Sequence, residues 1–354
     1  MSKFLSPKYA ALTPYTPGEQ PQDMKYIKLN TNESPFPPSK RAVEAAAQAA
    51  KRLQLYSDPQ CNLLTKAIAD RYGVDPEEVV VTNGSDEVLN FAFMAYCDKN
   101  TGAVAPDISY GFYPVFAQVN NVDYTAVPLK EDFTVDVTDY FSLGKTIFIA
   151  NPNAPTGIAL KPEEIEQILI HNPNNIVVID EAYVDFGAES CVSLVSKYDN
   201  LLVTMTFSKS RSLAGGRLGF GIANKEIIKD LNTIRFSTNP YNINSMTMAA
   251  GIGILEDEET TAKNCKIIAE NREYTVSQLQ KLGFELTDSL ANFIFAKHKA
   301  ISGEELYKEL KRRGILVRHF TAERIKDYNR ITIGTKEQID ALIKTISQIL
   351  EDIK

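Results

Sequence analysis

The stretch Leu201–Phe220, reading LLVTMTFSKSRSLAGGRLGF, decides how the rest of this 354-residue chain is interpreted. Its opening residues are β-branched or large and apolar, which predicts a buried strand. The strand stops at Ser208, Lys209 follows between two serines, and Arg217 comes eight residues later. Because lysine is rarely buried without a partner, Lys209 is either an ordinary surface residue or a Schiff-base lysine beside an anion site. This stretch alone leaves both interpretations open.

The composition limits the classes of function. The formal net charge of −7 disfavours nucleic acid and anionic membranes as partners. Four cysteines form no Cys-x-x-Cys pair and three histidines show no ligand spacing, so we expect neither a disulfide framework nor a metal site. No apolar run has the length of a signal peptide or a membrane span, which predicts a soluble, cytoplasmic protein.

The order of elements predicts an α/β fold. Between residues 79 and 223, short apolar strands alternate with helices, which is typical of a mainly parallel, seven-stranded sheet covered by helices. After about Asn244 the pattern changes to that of a smaller α+β unit. We therefore expect an extended, proline-rich N-terminal arm (1–40), a large domain (41–245) and a small C-terminal domain (246–354).

A carboxylate stands at the end of a second predicted strand, in IVVIDEAYVDF (Ile176–Phe186). Asp180 lies where ligands bind in open α/β sheets, and a buried carboxylate there needs a cation. That cation is either Mg²⁺ at a nucleotide site or a protonated pyridine nitrogen. The Mg²⁺ interpretation is weak, because the Gly-Lys-Thr at 144–146 has Asp139 in place of the leading glycine and precedes a strand.

Three further loops carry groups that could meet a ligand. Gly84 permits a tight turn into a helix whose free N–H groups at Ser85 and Asp86 suit an anion, although serine is also a common helix cap. The rigid loop NPNAPTG (151–157) could present an amide to a ligand, or it could be an ordinary turn. Tyr110 could stack on a flat ligand, or it could be a core aromatic residue. No complete Gly-x-Gly-x-x-Gly follows a strand, which disfavours a nicotinamide cofactor.

Taken in order, these groups resemble those of the fold-type-I pyridoxal-phosphate aminotransferases over nearly the whole chain. The motifs most similar to members that act on histidinol phosphate are LTPYTPGEQ, LNTNESP, NGSDE, NPNAPTG, DEAYVDF, TFSKSRSLAGGRLGF, LVRHF and RITIGT. The resemblance implies pyridoxal phosphate as cofactor, a homodimer, and transamination of L-histidinol phosphate with 2-oxoglutarate, giving imidazole-acetol phosphate and L-glutamate in histidine biosynthesis. An aromatic amino acid aminotransferase and a phosphothreonine decarboxylase on the same scaffold stay open as alternatives.

The resemblance also implies a role for each matched residue. Lys209 would bind the cofactor and move the substrate proton, Asp180 would pair with the pyridine nitrogen, and Tyr183 would donate to the ring hydroxyl. Further cofactor contacts are implied for Ser85, Asp86, Tyr110, Ser208, Arg217 and, from a second subunit, Tyr56. Substrate contacts are implied for Tyr15, Asn32, Arg318 and Arg330.

Two positions depart from the family pattern. The family has an asparagine before Pro-Thr-Gly that contacts the ring hydroxyl, whereas this chain has Ala154. Either Asn153 makes this contact by a changed loop path, which we favour, or Tyr183 holds the hydroxyl with less help. Gly216 replaces a bulky apolar residue, which predicts a looser approach to Arg217. A non-catalytic regulatory protein is disfavoured, because no DNA-binding module precedes the core.

Overall fold

The computed structural model describes residues 2–353. Within these residues the strands are β1 (Ile27–Lys28), β2 (Val79–Thr82), β3 (Ala103–Pro106), β4 (Tyr124–Val127), β5 (Thr146–Ala150), β6 (Val177–Asp180), β7 (Leu201–Thr206), β8 (Gly219–Ala223), β9 (Phe284–Leu286), β10 (Phe293–His298), β11 (Ile315–Leu316), β12 (Arg318–His319) and β13 (Asn329–Thr332). The helices are α1 (Lys40–Ala50), α2 (Asn62–Tyr72), α3 (Ser85–Tyr96), α4 (Tyr113–Asn120), α5 (Pro162–Ile170), α6 (Lys225–Thr238), α7 (Ser245–Leu255), α8 (Glu258–Lys281), α9 (Gly303–Arg312) and α10 (Lys336–Asp352). Over the same residues, no helix is both long and apolar enough to cross a membrane.

The large sheet has the strand order β2-β8-β7-β6-β5-β3-β4. Its neighbouring strands are parallel except at β8, which runs antiparallel to β2 and β7. This confirms the predicted mainly parallel, seven-stranded sheet. Because β6 and β7 are parallel neighbours, with Asp180 paired to Thr204, both strands end at the same edge of the sheet. The loops that carry Tyr183 and Lys209 therefore leave the sheet side by side.

Helices cover both faces of this sheet. Val177 and Ile179 of β6 pack in a cluster with α2 and α5, whereas Val178 packs in a second cluster with α3, α4 and α6. Successive side chains of a strand point to opposite faces, so a sheet covered twice needs apolar residues at every position. This explains the continuous apolar runs in the sequence. The helix α4, which the sequence pattern did not predict, belongs to the second of these layers.

A small antiparallel sheet, in the order β12-β13-β10-β9, packs with α8, α9 and α10 and forms the predicted smaller α+β domain. The strand predicted over residues 315–318 is in fact two strands. Ile315 of β11 pairs in parallel with Ile27 of β1, whereas Arg318 of β12 pairs with β13. The N-terminal arm therefore adds a strand beside the small domain.

The helical region that begins after Asn244 consists of α7 and α8, and α7 packs on α1. A Cβ on Gly253 would lie 2.9 Å from the Cα of Ala42, so the close approach of the two helices needs glycine at this position. Ala250 and Ile254 of α7 join the apolar cluster of the large sheet. This packing favours a domain boundary between α7 and α8. The boundary predicted from the sequence, at 245/246, lies earlier in the chain and stays a prediction.

Candidate active site

A cavity opens at the edge of the sheet where β6 and β7 end. Its lining comes from loops that are far apart in the sequence, namely Ser85, Asp86, Tyr110, Ala150, Ala154, Asp180, Ala182, Tyr183, Thr206, Ser208, Lys209 and Arg217. The structure thus brings together most of the cofactor-binding residues that were predicted. The predicted residues in the lining are Ser85, Asp86, Tyr110, Asp180, Tyr183, Ser208, Lys209 and Arg217.

Lys209 stands on the tight loop that follows β7. The backbone N–H of Leu213 donates to the carbonyl of Phe207 at 2.9 Å, which closes this loop directly beyond the strand. The lysine amine donates to the main-chain carbonyl of Thr31 at 3.3 Å and lies 5.7 Å from the centre of the Tyr183 ring. Within residues 2–353 no carboxylate forms an ion pair with this amine, which lines the cavity.

Asp180, the last residue of β6, is a buried carboxylate without a cationic hydrogen-bond partner. It accepts from the Tyr113 hydroxyl at 3.3 Å and from the N–H of Ala182 at 3.2 Å. Burial, and then the negative charge of Asp86, raise the pKa of Asp180 to about 7. A carboxylate in this state is stabilised by a cation that a ligand brings with it, and a protonated ring nitrogen is such a cation.

Glu181, the other member of the acid pair, serves the fold and not the cavity. Its carboxylate accepts from the Ser190 hydroxyl and from the N–H of Cys191, both at 2.6 Å. Burial raises the pKa of Glu181 to about 7 as well. The two neighbouring acids thus have similar pKa shifts, but only Asp180 meets the cavity.

Part of the cavity wall carries donors that suit an anion. Arg217 pairs with the Asp86 carboxylate, Nη2 to Oδ2 at 3.0 Å, and its Nη1 donates to the Ser208 hydroxyl at 3.5 Å. The N-terminus of α3, at Ser85, adds free N–H groups and the positive end of the helix dipole. Gly84 has φ +77°, and a Cβ there would lie 2.6 Å from the Nη2 of Arg217. These donors suit a phosphate dianion.

Gly216 does not leave a gap beside Arg217. A Cβ at this position would lie 2.6 Å from the Cγ of Leu213, so the leucine side chain already occupies the space that a bulkier residue would take. The looser approach that the sequence predicts is therefore absent on this side of the loop.

Tyr183 and Tyr110 frame the cavity with aromatic rings. The Tyr183 hydroxyl accepts a hydrogen bond from the Nδ2 of Asn32 at 3.0 Å, and its ring stands at 90° to that of Phe293, 5.1 Å away. The Tyr110 hydroxyl donates to the Asp86 carboxylate at 2.7 Å, which fixes that ring beside the anion site. A flat aromatic ligand between Asp180 and the anion site would meet both rings.

The structure does not bring Asn153 to the cavity. Its Nδ2 donates to the carbonyl of Ile108 at 2.9 Å and to the Thr156 hydroxyl at 3.1 Å, and its Oδ1 accepts from the Ser109 hydroxyl at 2.8 Å. Both ends of the amide are thus engaged in holding the segment before Tyr110. Ala154 lines the cavity instead, so the expectation that Asn153 replaces the usual amide has no support here.

Arg318 and Arg330 form a second positive site next to the cavity. Arg330 donates to the carbonyl of Asn30 at 3.2 Å, while its buried Nε has no hydrogen-bond partner within residues 2–353. Arg318 donates to the carbonyls of Thr16 and Pro17, at 3.2 and 3.4 Å. Burial, together with the charge of Arg318, lowers the pKa of Arg330. Two guanidinium groups without a carboxylate are arranged for an anion from outside the chain.

The remaining predicted residues lie at different distances from the cavity. Tyr15 is on the arm beside it, with its ring 4.6 Å from that of Phe112. Asn32 is buried, and its amide bonds to Tyr183 and Thr332. Tyr56 is not brought to this cavity. Its side chain is 85% exposed and stacks on Tyr241 with ring centroids 4.6 Å apart.

Sequence reasoning missed an ion pair, between the buried Arg211 and the partly exposed Asp185, that supports the lysine loop. Arg211 donates to the Asp185 carboxylate at 2.8 Å and to the Tyr72 hydroxyl at 3.1 Å. The pair ties the segment after Tyr183 to the segment after Lys209. An arginine two residues beyond the lysine, in SKSR, was the available signal, but only the structure shows that this side chain is buried.

Comparisons with known proteins give a consistent result. Residues 24–346 match the family model described as aminotransferase class I and II. The histidinol-phosphate aminotransferase of Brachyspira hyodysenteriae is 47% identical over 354 residues, 99% of this chain and 100% of that protein. That of Clostridium botulinum (strain Kyoto / Type A2) is 45% identical over 355 residues, 100% of both chains. The solved histidinol-phosphate aminotransferase of Sinorhizobium meliloti, in complex with pyridoxal-5'-phosphate, has a TM-score of 0.91 at 20% identity, covering 100% of this chain and 99% of that one.

Proposed function

Because this chain belongs to the class I and II aminotransferases, we propose that it transfers the amino group of L-histidinol phosphate to 2-oxoglutarate. The products are imidazole-acetol phosphate and L-glutamate, and the reaction is a step of histidine biosynthesis. The observation that carries this proposal is the arginine pair Arg318 and Arg330 beside a cavity that holds Lys209 and Asp180. Full-length relatives at 45% and 47% identity carry the name of this activity.

The residues of the cavity fit pyridoxal phosphate. When bound, this cofactor supplies a ring that delocalises the electron pair left on the substrate carbon after its proton is removed. Asp180, buried without a cation, suits the protonated ring nitrogen and would keep it protonated. Arg217, Ser208 and the start of α3 at Ser85 suit the phosphate, and Tyr110 suits the ring face.

We assign the covalent and proton-transfer roles to Lys209. Its amine is the one lysine group in the cavity lining, and its hydrogen bond to the Thr31 carbonyl holds it there. A lysine that binds the cofactor and is then released can take the proton from the substrate carbon and return it at another position. The walls around it exclude bulk water on the side of the strand ends, since the neighbouring residues Thr206 and Ser208 are buried.

The arginine pair explains how one site can serve two substrates. Histidinol phosphate brings a phosphate and 2-oxoglutarate brings carboxylates, and planar guanidinium groups bind either anion through two hydrogen bonds at once. Arg330 lies 5.3 Å from the ring of Phe293, which also contacts Tyr183, so the anion site and the cavity share a wall. We place the imidazole end of histidinol phosphate toward Tyr15 on the arm.

We further propose a homodimer in which Tyr56 completes the partner's cofactor site. Large apolar side chains close to this tyrosine in the sequence are also exposed, with exposed fractions of 53% for Leu53, 53% for Leu55 and 75% for Leu63. Tyr241 continues the same surface, since it stacks on Tyr56. Several exposed apolar side chains in one short segment are typical of a face covered by another chain, and in our proposal a second copy brings Tyr56 to a cavity that it does not reach in its own chain.

A cytoplasmic location is also a proposal. It is supported by the cysteines, all four of which are free in the structure, as is usual in a reducing compartment. Fractionation of the source cells, with a cytoplasmic marker enzyme as reference, tests it.

The decisive experiment compares three substrates on purified protein loaded with pyridoxal phosphate. In the absence of a second substrate, the absorbance of the lysine-bound cofactor should be lost with L-histidinol phosphate much faster than with L-phenylalanine or L-phosphothreonine. Borohydride treatment before substrate should fix the cofactor on Lys209, as peptide mass spectrometry would show.

Each contrary result has its own meaning. Protein that stays colourless after cofactor addition contradicts the cofactor assignment. Equal rates with phenylalanine contradict the choice of histidinol phosphate and favour an aromatic amino acid aminotransferase. Release of carbon dioxide from phosphothreonine favours the decarboxylase alternative.

A further inference from the structure

Three consecutive residues of the N-terminal arm each bond to a different functional residue. The carbonyl of Asn30 accepts from Arg330 at 3.2 Å, and the carbonyl of Thr31 accepts from the Lys209 amine at 3.3 Å. The third residue, Asn32, donates from its side-chain amide to the Tyr183 hydroxyl at 3.0 Å. Among the three, only Asn32 acts through its side chain and can therefore be tested by substitution.

The amide of Asn32 is held in one orientation. Its Oδ1 accepts from the Thr332 hydroxyl at 3.0 Å, and the same hydroxyl accepts from the backbone N–H of Asn32, also at 3.0 Å. The carbonyl of Asn32 accepts from the Nδ2 of Asn292 at 3.0 Å. The residue is 1% exposed and has φ +56°, a left-handed conformation that asparagine tolerates. With Oδ1 engaged by Thr332, the N–H₂ end of the amide faces Tyr183.

This orientation decides what the Tyr183 hydroxyl can do. A hydroxyl that accepts a hydrogen bond from an amide keeps its own proton for another acceptor, and its donation is strengthened by the bond that it accepts. Tyr183 lines the cavity, so the free proton is available there. Ala154, at the position where the family carries an amide, offers no polar side-chain atom and packs against Phe293 and Tyr183.

We propose that Asn32 is a positioning residue, which turns the Tyr183 hydroxyl toward the ring oxygen of the cofactor and so compensates for the amide missing at Ala154. This inference rests on the proposed function, because it assumes that pyridoxal phosphate occupies the cavity. It also assigns Asn32 a role different from the substrate contact that the family resemblance implies.

The test exchanges the amide for a carboxylate of the same shape. In Asn32→Asp the ionised side chain can only accept, so at a pH above the pKa of the new carboxyl group the Tyr183 proton turns away from the cavity to meet it. The ring oxygen of the cofactor would then lose a hydrogen bond and become more basic. The proton shared between this oxygen and the nitrogen that joins Lys209 to the cofactor would therefore be lost at a higher pH. The pH midpoint of the absorbance change of the bound cofactor should rise by roughly half to one unit, the size expected for one such bond.

The control is the same substitution in a Tyr183→Phe background. A new negative charge near the cofactor shifts the midpoint whether or not the tyrosine hydroxyl is present, whereas an effect that acts through the hydroxyl disappears with it. We therefore expect Tyr183→Phe alone to raise the pH midpoint. In the Tyr183→Phe background, Asn32→Asp should raise the midpoint by less than about a third of the shift that it causes in the wild-type background. Asn32→Gly, which suits the positive φ without adding charge, should also raise the midpoint and decides the matter if Asn32→Asp does not fold.

The outcomes separate this inference from the proposed function. Wild-type protein that takes up no cofactor contradicts both. Wild-type protein that titrates normally, with Asn32→Asp and Asn32→Gly unchanged in midpoint, contradicts only the positioning role. Equal shifts from Asn32→Asp in the two backgrounds also overturn it, because they would show an electrostatic effect that does not pass through Tyr183.

Discussion

Arg318 and Arg330 stand directly opposite each other on the antiparallel strands β12 and β13, and within residues 2–353 neither guanidinium pairs with a carboxylate. Like charges opposite each other destabilise a strand pair, and burial of Arg330 adds a cost of desolvation. An arrangement that is unfavourable in the free protein becomes favourable when an anion lies between the two groups. This arrangement supports our proposal that the pair binds the anionic end of the substrate.

Arg330→Gln should weaken substrate binding far more than it weakens the protein. We expect KM for histidinol phosphate to rise about 100-fold, because a guanidinium that contacts the phosphate is lost, while the free energy of unfolding stays the same or increases. Steady-state kinetics and urea unfolding measure the two effects. The matched control is Arg324→Gln, whose guanidinium already pairs with Asp107 at 3.0 Å. A similar rise of KM in both variants would contradict the assignment.

Asp180→Asn should stabilise the cofactor-free protein at high pH. In the protein loaded with pyridoxal phosphate, the same substitution should abolish activity. The pKa of Asp180 is raised to about 7, so its contribution to stability is present below about pH 4 and is lost as the pH rises through 7. Asparagine never carries this charge, and the variant should gain roughly 2–4 kcal/mol of unfolding free energy at pH 8 and little at pH 4. Urea unfolding at the two pH values measures this difference, and kcat should fall at least about 1,000-fold.

Glu181→Gln is the control for that experiment. The pKa of Glu181 is also raised to about 7 by burial, yet this side chain bonds to Ser190 and Cys191 outside the cavity. The variant should leave the absorbance of the bound cofactor unchanged. If it altered that absorbance as strongly as Asp180→Asn does, the two acids would share the role that we give to Asp180 alone.

Gly84→Ala should weaken cofactor binding by moving Arg217. The new Cβ would come within 2.6 Å of the guanidinium, and we expect the Kd for pyridoxal phosphate to rise roughly tenfold, as measured by titration of the cofactor-free protein. Gly73→Ala is a control for alanine at a positive φ outside the cavity lining, since this C-cap of α2 has φ +68° with nothing within 4 Å. Its ψ of +36° is left-handed helical, which alanine adopts at a cost of about 1–2 kcal/mol, whereas the ψ of +161° at Gly84 lies in a region that is essentially confined to glycine. Gly84→Ala should therefore lose more stability than Gly73→Ala. A Kd that is unchanged in Gly84→Ala, or raised equally in both variants, would contradict an effect through Arg217.

Mixed dimers of Lys209→Ala and Tyr56→Ala should regain activity if two chains share each site. In the mixed dimer, the chain with the altered lysine still supplies Tyr56 to the intact Lys209 of its partner, which restores one complete site of two. At limiting cofactor we expect about half of the wild-type activity from purified mixed dimers carrying two different affinity tags. Activity no higher than the mean of the two parent dimers would show that Tyr56 serves no second chain.

Much of the fold and of the site could be predicted from the sequence, because both depend on local patterns. The strand Ala103–Pro106 and the helix Asn62–Tyr72 lie where they were expected. The strand is specified by an apolar run between polar turns, and the end of the helix is specified by Gly73, so both signals lie in neighbouring residues. The helix α4 was not predicted, because its aromatic residues Tyr113 and Phe116 indicate core packing without indicating a helix. The split between β11 and β12 depends on partners at residues 27 and 330, which no local pattern reveals.

By itself the sequence determined that Asp180 and Lys209 follow the carboxyl ends of strands, which meet at one edge of a parallel sheet. Arg217 reaches the same edge because it precedes β8, which runs antiparallel to β7. Only the tertiary structure decided where the side chains near Ala154 point. Asn153 turns away to hold the carbonyl of Ile108, while Asn32, from the distant arm, reaches Tyr183. The physical reason is that a buried amide satisfies its hydrogen bonds with whichever groups the fold brings near, and those partners are set by contacts between remote parts of the chain.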